Sequence, residues 1–434
     1  MPSTRTRRKV VDVAALPRVE GGGSLHLVVE GDRVTDLRLV LFEPPRFFDA
    51  LLRGRHAREA PDVTARICGI CPVAYQMSAV HALERLFGVS IDPAVRALRR
   101  LYYCGEWIES HALHIFMLAA PDYLGCDSAV TLARKDRPAV ERGFRLRRAG
   151  NAIVSLLGGR SVHPVSACIG GFTRAPRAAE VVALRAELER ARDDAVAAVR
   201  WVAGFDLLDR KLDIEFVALR HPNEYPMNDG RMVSSKGLDC PQGRFAEVFE
   251  EHQVPYSNAL HATVKGRGAY FLGPLARINL NFDALGPTVT GVARETGIRW
   301  PSSNPSVSIV ARTLEILYAI EEALRIIDDY EEPAAPAASW TPRAGVGSAV
   351  TEAPRGSLYH LYETDEHGVI RRAHIVPPTA QNQAQIEADL RALAPSILPL
   401  SRASAAALCE TVVRNYDPCI SCATHFLDLE VVRR

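Results

Sequence analysis

No run of 18 uncharged apolar residues occurs in the 434-residue chain, so the sequence offers no membrane span. Neither sign of charge dominates: 52 Lys and Arg stand against 51 Asp and Glu, which leaves no basic excess to draw nucleic acid or an anionic membrane surface. The opening Met1–Lys9 is basic but lacks the apolar stretch of a signal peptide, so none is expected. There is no internal repeat, and the only low-complexity tract is a Pro/Ala-rich stretch near 331–343. No G-x-G-x-x-G follows a strand pattern, so the chain is not expected to hold a nicotinamide dinucleotide itself. The nine cysteines are an odd number in a large chain without a signal. That suits reduced thiols and metal ligands in the cytoplasm rather than a disulfide framework.

What the chain does have is two close cysteine pairs. Arg66-Ile67-Cys68-Gly69-Ile70-Cys71-Pro72 lies near the start, and Asp417-Pro418-Cys419-Ile420-Ser421-Cys422-Ala423-Thr424-His425 lies near the end. A single CxxC admits three readings: a redox dithiol, half of a zinc site, or part of another metal centre. A thioredoxin-like dithiol needs a βαβ setting, which neither pair has. Zinc ribbons place their pairs about 15–20 residues apart, whereas almost the whole chain separates these. Four thiolates from opposite ends make a soft site for Zn, Fe or Ni. A redox metal inside a large body fits that separation better, because burial and surrounding contacts set its potential. At 47% hydrophobic the chain supports a large core. Length alone suggests two or three domains, but a site built from both ends requires one body.

Taken in order, the runs at 25–29 and 34–40 flank Gly31-Asp32 and predict a hairpin. It follows Arg18-Val19-Glu20-Gly21-Gly22-Gly23, where glycines let backbone pass close to a neighbour; on spacing alone Glu20 reads as a solvated loop acid. Residues 46–57 have helical apolar spacing, with Asp49 beside the stripe. Helical spacing also covers 74–87, with Gly88 as a stop, and then 94–120, 141–157, 177–203 and 307–329. The first of these helices would offer backbone N–H groups to the thiolates before it. His111 and His114 share one face of the second and read as buried, hydrogen-bonded side chains. The stretch 205–305 is irregular, and 331–343 reads as a surface excursion. A second hairpin turns at Glu366-His367-Gly368, and helices near 383–393 and 400–413 lead to the final thiols. The expected class is α+β, mainly α: a central helical bundle with small antiparallel hairpins at its periphery, formed by residues 1–434 as one domain.

The two cysteine motifs together resemble the paired signatures of the nickel–iron hydrogenase large subunit. Arg18-Val19-Glu20-Gly21, the stretch Ser110–Asp122 and Glu352-Ala353-Pro354-Arg355-Gly356 agree with that family, and the similarity spans nearly the full length. The context of the first pair, through Val73-Ala74-Tyr75-Gln76-Met77-Ser78, is similar to the cytosolic, NAD(P)-linked group, which includes the sulfhydrogenase α subunits.

The resemblance implies a Ni-Fe(CN)2(CO) centre, with Cys68 and Cys419 as terminal ligands of nickel and Cys71 and Cys422 bridging to iron. It implies that Arg355 lies over the open coordination site, oriented by Asp122 and Asp417; a guanidinium holds its proton, so its part is positioning and electrostatics. It makes Glu20 the first proton relay and Pro377, Pro378 and Thr379 the loop against the cyanides. It also implies a Mg2+ ion held by Asp49, the backbone carbonyl of His374 and His425. The family usually has Glu where this chain has the shorter Asp49. Residues 426–434 would be a C-terminal extension removed by a maturation endopeptidase. Turnover would need an iron–sulfur small subunit and flavin- and NAD(P)-binding diaphorase-type subunits. The expected reaction is reversible heterolytic cleavage of H2 to protons and electrons. A hydrogen-sensing regulatory subunit and a zinc-stabilised structural subunit are the alternatives.

Overall fold

The computed structural model describes residues 8–31 and 33–424. Eight helices carry the architecture: α1 (Pro72–Phe87), α2 (Pro93–Leu113), α3 (Arg137–Gly158), α4 (Arg185–Ala203), α5 (Pro274–Asn281), α6 (Ser308–Asp328), α7 (Pro378–Arg391) and α8 (Arg402–Arg414). Their ends follow local chemistry. Pro72 opens α1 and Gly88 closes it in the left-handed conformation at φ 68°. Asp92 caps α2 by accepting the Ala94 N–H at 2.7 Å. Beyond Leu113 that helix runs on through a π-helical segment, His114–Ala119, and a last turn, Ala120–Tyr123.

Helices α2, α3, α4 and α6 pack into the central bundle. The α2–α3 crossing is close because both faces carry glycine: a Cβ on Gly150 would sit 2.5 Å from the Gly105 carbonyl oxygen. Helix α6 is buried on nearly every side, its apolar residues interleaved with the buried polar side chains Arg312, Thr313, Glu315 and Glu322. The largest hydrophobic cluster runs from Val11 to Ala423, so both ends of the chain share one core.

The strands form small antiparallel sheets of two or three. β1 (Arg8–Val13), β2 (Gly23–Glu30) and β3 (Arg33–Leu41) make one sheet; β4 (Gly345–Ala353), β5 (Gly356–Thr364) and β6 (Ile370–Val376) make another. Both predicted hairpins are therefore present, each extended by a third strand. The helix expected over 46–57 is broken: only Phe48–Leu52 is α-helical, and Gly54 at φ 81° turns the chain before a short 3-10 turn and the helix Ala60–Thr64. The helix expected over 177–203 is divided into Ala178–Val182 and α4. The irregular stretch 205–305 holds short strands, α5 and a helix over Gly286–Glu295. No described helix is long and apolar enough to cross a membrane.

Candidate metal centre

The four paired cysteines meet. The sulfurs of Cys68, Cys71, Cys419 and Cys422 all lie within 4.8 Å of one another, and all four residues are buried. Cys68 Sγ stands 3.6 Å from Cys419 Sγ, and Cys71 Sγ stands 3.9 Å from Cys422 Sγ, although 351 positions separate the members of each pair. The described cysteines are all free thiols. Burial opposes charge on each sulfur. At Cys68 hydrogen bonds from Cys419, Cys422 and Cys71, with the nearby Arg355 guanidinium, win and hold the thiol well below its ordinary range. Burial pushes Cys71 and Cys419 well above that range. Four such thiols do not ionise together without a cation, which is the condition a metal meets.

The turn that presents the first pair folds over its own sulfur: the N–H groups of Ile70 and Cys71 donate to Cys68 Sγ at 3.3 and 3.2 Å. The first amides of α1, expected to face the thiolates, are taken instead by Glu106 of α2. Its carboxylate accepts from Val73 at 2.6 Å and Ala74 at 3.0 Å.

The second pair is fixed by the N-terminal segment. Glu20 accepts the Ile420 N–H on its backbone carbonyl at 2.8 Å. Its Oε2 accepts the Cys419 thiol at 3.1 Å and the Ser421 N–H at 3.0 Å. Glu20 is thus bound to the site and is not the solvated loop acid that spacing alone suggests. Gly21 is needed beside it: it stands at φ 89°, and a Cβ there would lie 2.8 Å from Ile420 Cβ. From the other side Thr379 Oγ1, at the start of α7, accepts the Cys419 N–H at 2.9 Å. Pro377 and Pro378 set that start, as N-cap and first helical residue.

Arg355 is buried and reaches Asp417 through three contacts. Its Nε donates to the Asp417 carbonyl at 2.7 Å and stands 3.2 Å from Oδ2, while Nη2 donates to Oδ1 at 3.3 Å. Its Nη1 and Asp417 Oδ2 are buried without a hydrogen-bond partner. Asp417, in the left-handed region at φ 51°, follows Arg414 at the end of α8. Asp122 is placed differently from expectation. It binds Arg414 at 2.6 and 2.8 Å and Arg18 by a further ion pair, and not Arg355. The reason is reach: Arg18 also ties to the Leu118 carbonyl, so two guanidinium groups already enclose the Asp122 carboxylate.

Asp49 is buried in Phe48–Leu52, and burial pushes its carboxyl up to about 7 against the pull of His374. Its Oδ1 has no partner, nor has Oε1 of Glu251, whose other oxygen lies 2.7 Å from His374 Nε2. The Ile375 backbone also holds that rise back. The His374 imidazole stands against Glu251, and its charge acts on Asp49. His425 lies outside the described residues, as do 426–434. Among the described residues Asp49, Glu251 and His374 do not form a group of three close ligand atoms as the four sulfurs do.

Sequence reasoning missed three contributors. Tyr75, one helical turn beyond Cys71 in α1, is buried where all four thiols act on its hydroxyl; the i, i+4 spacing was the available signal. Arg414 and Arg18 left none, since their shared partner is remote in sequence. His114, expected as a buried, hydrogen-bonded side chain, is one: its Nε2 donates to the Arg414 carbonyl at 2.8 Å, three residues before Asp417.

A buried cage of four thiols with an arginine held by an aspartate beside it, closed by both ends of a mainly helical chain, defines a soft thiolate metal site. The chain belongs to the nickel-dependent hydrogenase family, whose sequence profile matches residues 46–140 and 273–425. It is 30% identical to the sulfhydrogenase 1 α subunit of Pyrococcus furiosus over 423 residues, covering 96% of this chain and 98% of that one. It is 26% identical to the β subunit of the NAD-reducing hydrogenase HoxS of Cupriavidus necator, covering 97% and 95%. Its fold superposes on the crystal structure of an NAD+-reducing NiFe-hydrogenase in the H2-reduced state with a TM-score of 0.86 at 29% identity, over 97% of this chain and 100% of that one. The expected large-subunit fold is the fold observed.

Proposed function

We propose that this chain is the catalytic subunit of a nickel–iron hydrogenase that cleaves H2 reversibly and heterolytically into protons and electrons, which pass to NAD(P). The observation that carries the reading is the four-sulfur cage with Glu20 bonded to one sulfur and Arg355 electrostatically close to three of them. The donor set fits a Ni-Fe(CN)2(CO) centre: soft thiolates, dry, and paired as Cys68 with Cys419 and Cys71 with Cys422. Such a centre, when bound, supplies the Lewis acidity and the electron acceptor for splitting H2.

The chain's own groups do the rest. Cys419 Sγ, 3.1 Å from Glu20 Oε2, is placed to hand a proton to that carboxylate, the first relay toward solvent. Arg355 keeps its proton, its basicity raised by Asp417, Cys419, Cys71 and Cys68 against burial, and contributes a fixed positive charge. Asp417 orients it. Asp122 acts one step further out, by fixing Arg414 and so the end of α8. Thr379 holds Cys419, and Pro377 and Pro378 shape the loop beside it.

No other group of three or more metal-ligating side chains occurs among the described residues. Electrons therefore need an iron–sulfur small subunit, and flavin- and NAD(P)-binding diaphorase-type subunits beyond it. A hard cation such as Mg2+ would be held by Asp49, the backbone carbonyl of His374 and His425, with Glu251 beside them; Asp49 and Glu251 each have an unpartnered buried oxygen. Trimming of residues 426–434 by a maturation endopeptidase belongs to the same reading, and the free thiols suit the cytoplasm.

A structural zinc is the second reading. Zn–S bonds of about 2.3 Å in a tetrahedron put sulfurs about 3.8 Å apart, close to the 3.6 and 3.9 Å found here. Infrared spectroscopy with metal analysis on the purified complex decides. Bands of iron-bound CO and cyanide with nickel and iron in equal amounts support the proposal; one zinc per chain and no such bands overturn it.

A further inference from the structure

Arg355 follows three residues that are bonded to a single side chain. Arg277, on α5, is fully buried, and all five of its N–H groups are used. Nη1 donates to the Ala353 carbonyl at 2.8 Å and to Glu352 Oε2 at 3.0 Å. Nη2 donates to the Pro354 carbonyl at 3.0 Å and to Glu315 Oε2 at 2.7 Å, and Nε donates to Glu315 Oε1 at 2.7 Å. The guanidinium also lies over the Trp107 ring, 4.3 Å from its centroid, and Trp107 Nε1 donates to the Glu352 carbonyl at 3.1 Å. Glu352 is held by Ser357 and the Leu219 N–H, each at 2.8 Å, on its remaining oxygen.

The helix that carries Arg277 meets the same loop at its start as well. Gly273, the residue before α5, stands at φ 112° with a virtual Cβ 3.0 Å from the Arg355 carbonyl oxygen. A Cβ on Gly356 would lie 2.6 Å from Leu272 Cβ. The backbone at and just after Arg355 is therefore packed on Leu272 and Gly273, which lead into α5, and the residues before it are bonded to the guanidinium one turn along that helix.

We infer that Arg277 is a positioning residue that sets where Arg355 stands over the sulfur cage, through the Ala353 and Pro354 carbonyls. The inference rests on the nickel–iron reading of the cage. Only a planar fork with five donors can satisfy two carbonyls and two carboxylates at once; a lysine ammonium has three donors and a single charged point. A chain with lysine there keeps the buried charge balanced but releases at least one carbonyl. The loop then relaxes, and Arg355 moves with it.

The test uses the assembled complex with two variants. Arg277→Lys keeps the charge; the double variant Arg277→Met/Glu315→Leu replaces the buried pair by apolar side chains of similar volume. Expected for each are wild-type nickel and iron content, CO and cyanide bands displaced from their wild-type positions, and a kcat lowered ~100-fold with KM for H2 little changed, the scale of a small misplacement at a reacting site. Wild-type bands and kcat in either loaded variant would overturn the proposal. Loss of the fold in both would reduce Arg277 to a structural role and overturn it equally. Absence of the bands from the wild-type complex would show instead that the nickel–iron reading had failed, and the inference with it.

Discussion

The Glu20 carboxylate and the Cys419 thiol share a hydrogen bond of 3.1 Å, and the same carboxylate oxygen holds the Ser421 N–H. Glutamine in place of Glu20 keeps an acceptor for both contacts but takes up no proton. Glu20→Gln should therefore retain nickel and iron while H/D exchange with solvent falls by ~100-fold or more, the scale of losing a general base. Mass-spectrometric isotope exchange beside metal analysis measures both. Exchange at the wild-type rate would remove Glu20 from the proton route.

A methyl group at Gly21 should open the cage. The residue stands at φ 89°, and the new Cβ would lie 2.8 Å from Ile420 Cβ and 3.1 Å from the Ser421 nitrogen. Left-handed backbone costs about 1–2 kcal/mol for a residue with a Cβ, and overpacking about 1–3 kcal/mol more. Gly21→Ala is expected to lower both the thermal midpoint and the metal content, read by calorimetry and by metal analysis on one preparation.

His111 predicts an acid limit to stability. Burial drives its imidazole down to about 4 from 6.5, against the pull of Glu315 2.9 Å away. The folded state thus binds the proton less readily than the unfolded chain. The stability this gives is complete above pH 6.5 and is lost as pH falls to about 4, on the order of 3 kcal/mol over the window. His111→Gln should flatten denaturation free energy against pH by about one proton across that range. An unchanged slope would refute the assignment.

Removal of the hard cation should weaken the fold without emptying the sulfur cage. A ligand at a hundredfold its dissociation constant stabilises by about 2.7 kcal/mol. Chelation at neutral pH is therefore expected to lower the thermal midpoint, and added Mg2+ to restore it. Asp49→Asn should abolish the response while nickel and iron remain. A midpoint indifferent to chelation would leave Asp49 and Glu251 without the proposed ion.

Much of the frame was legible because it is written locally. Pro72 and Gly88 bound α1, the apolar stripe from Val307 gives α6, and the two CxxC motifs announce the cage. What escaped depends on contacts between distant residues. β1 reads as a strand only once β2 offers it an edge, with Arg8 opposite Glu30. The strands between 205 and 305 are two to five residues long, too short for alternation to register. Asp122 reads as an orienting acid for Arg355 until Arg414, 292 positions away, is found holding both of its oxygens. Gly54 interrupts a helical pattern that the apolar spacing around it continues.

The 351 positions between Cys68 and Cys419 also set a timetable. A ribosome adding ~5–20 residues per second leaves the first thiols waiting about 20–70 s for their counterparts. A nascent chain presents half a cage through most of its synthesis and grips no complete cluster. Loading of a four-thiol centre has to wait for Cys419 and Cys422, and any premature stop upstream of Cys419 yields a protein with half a cage.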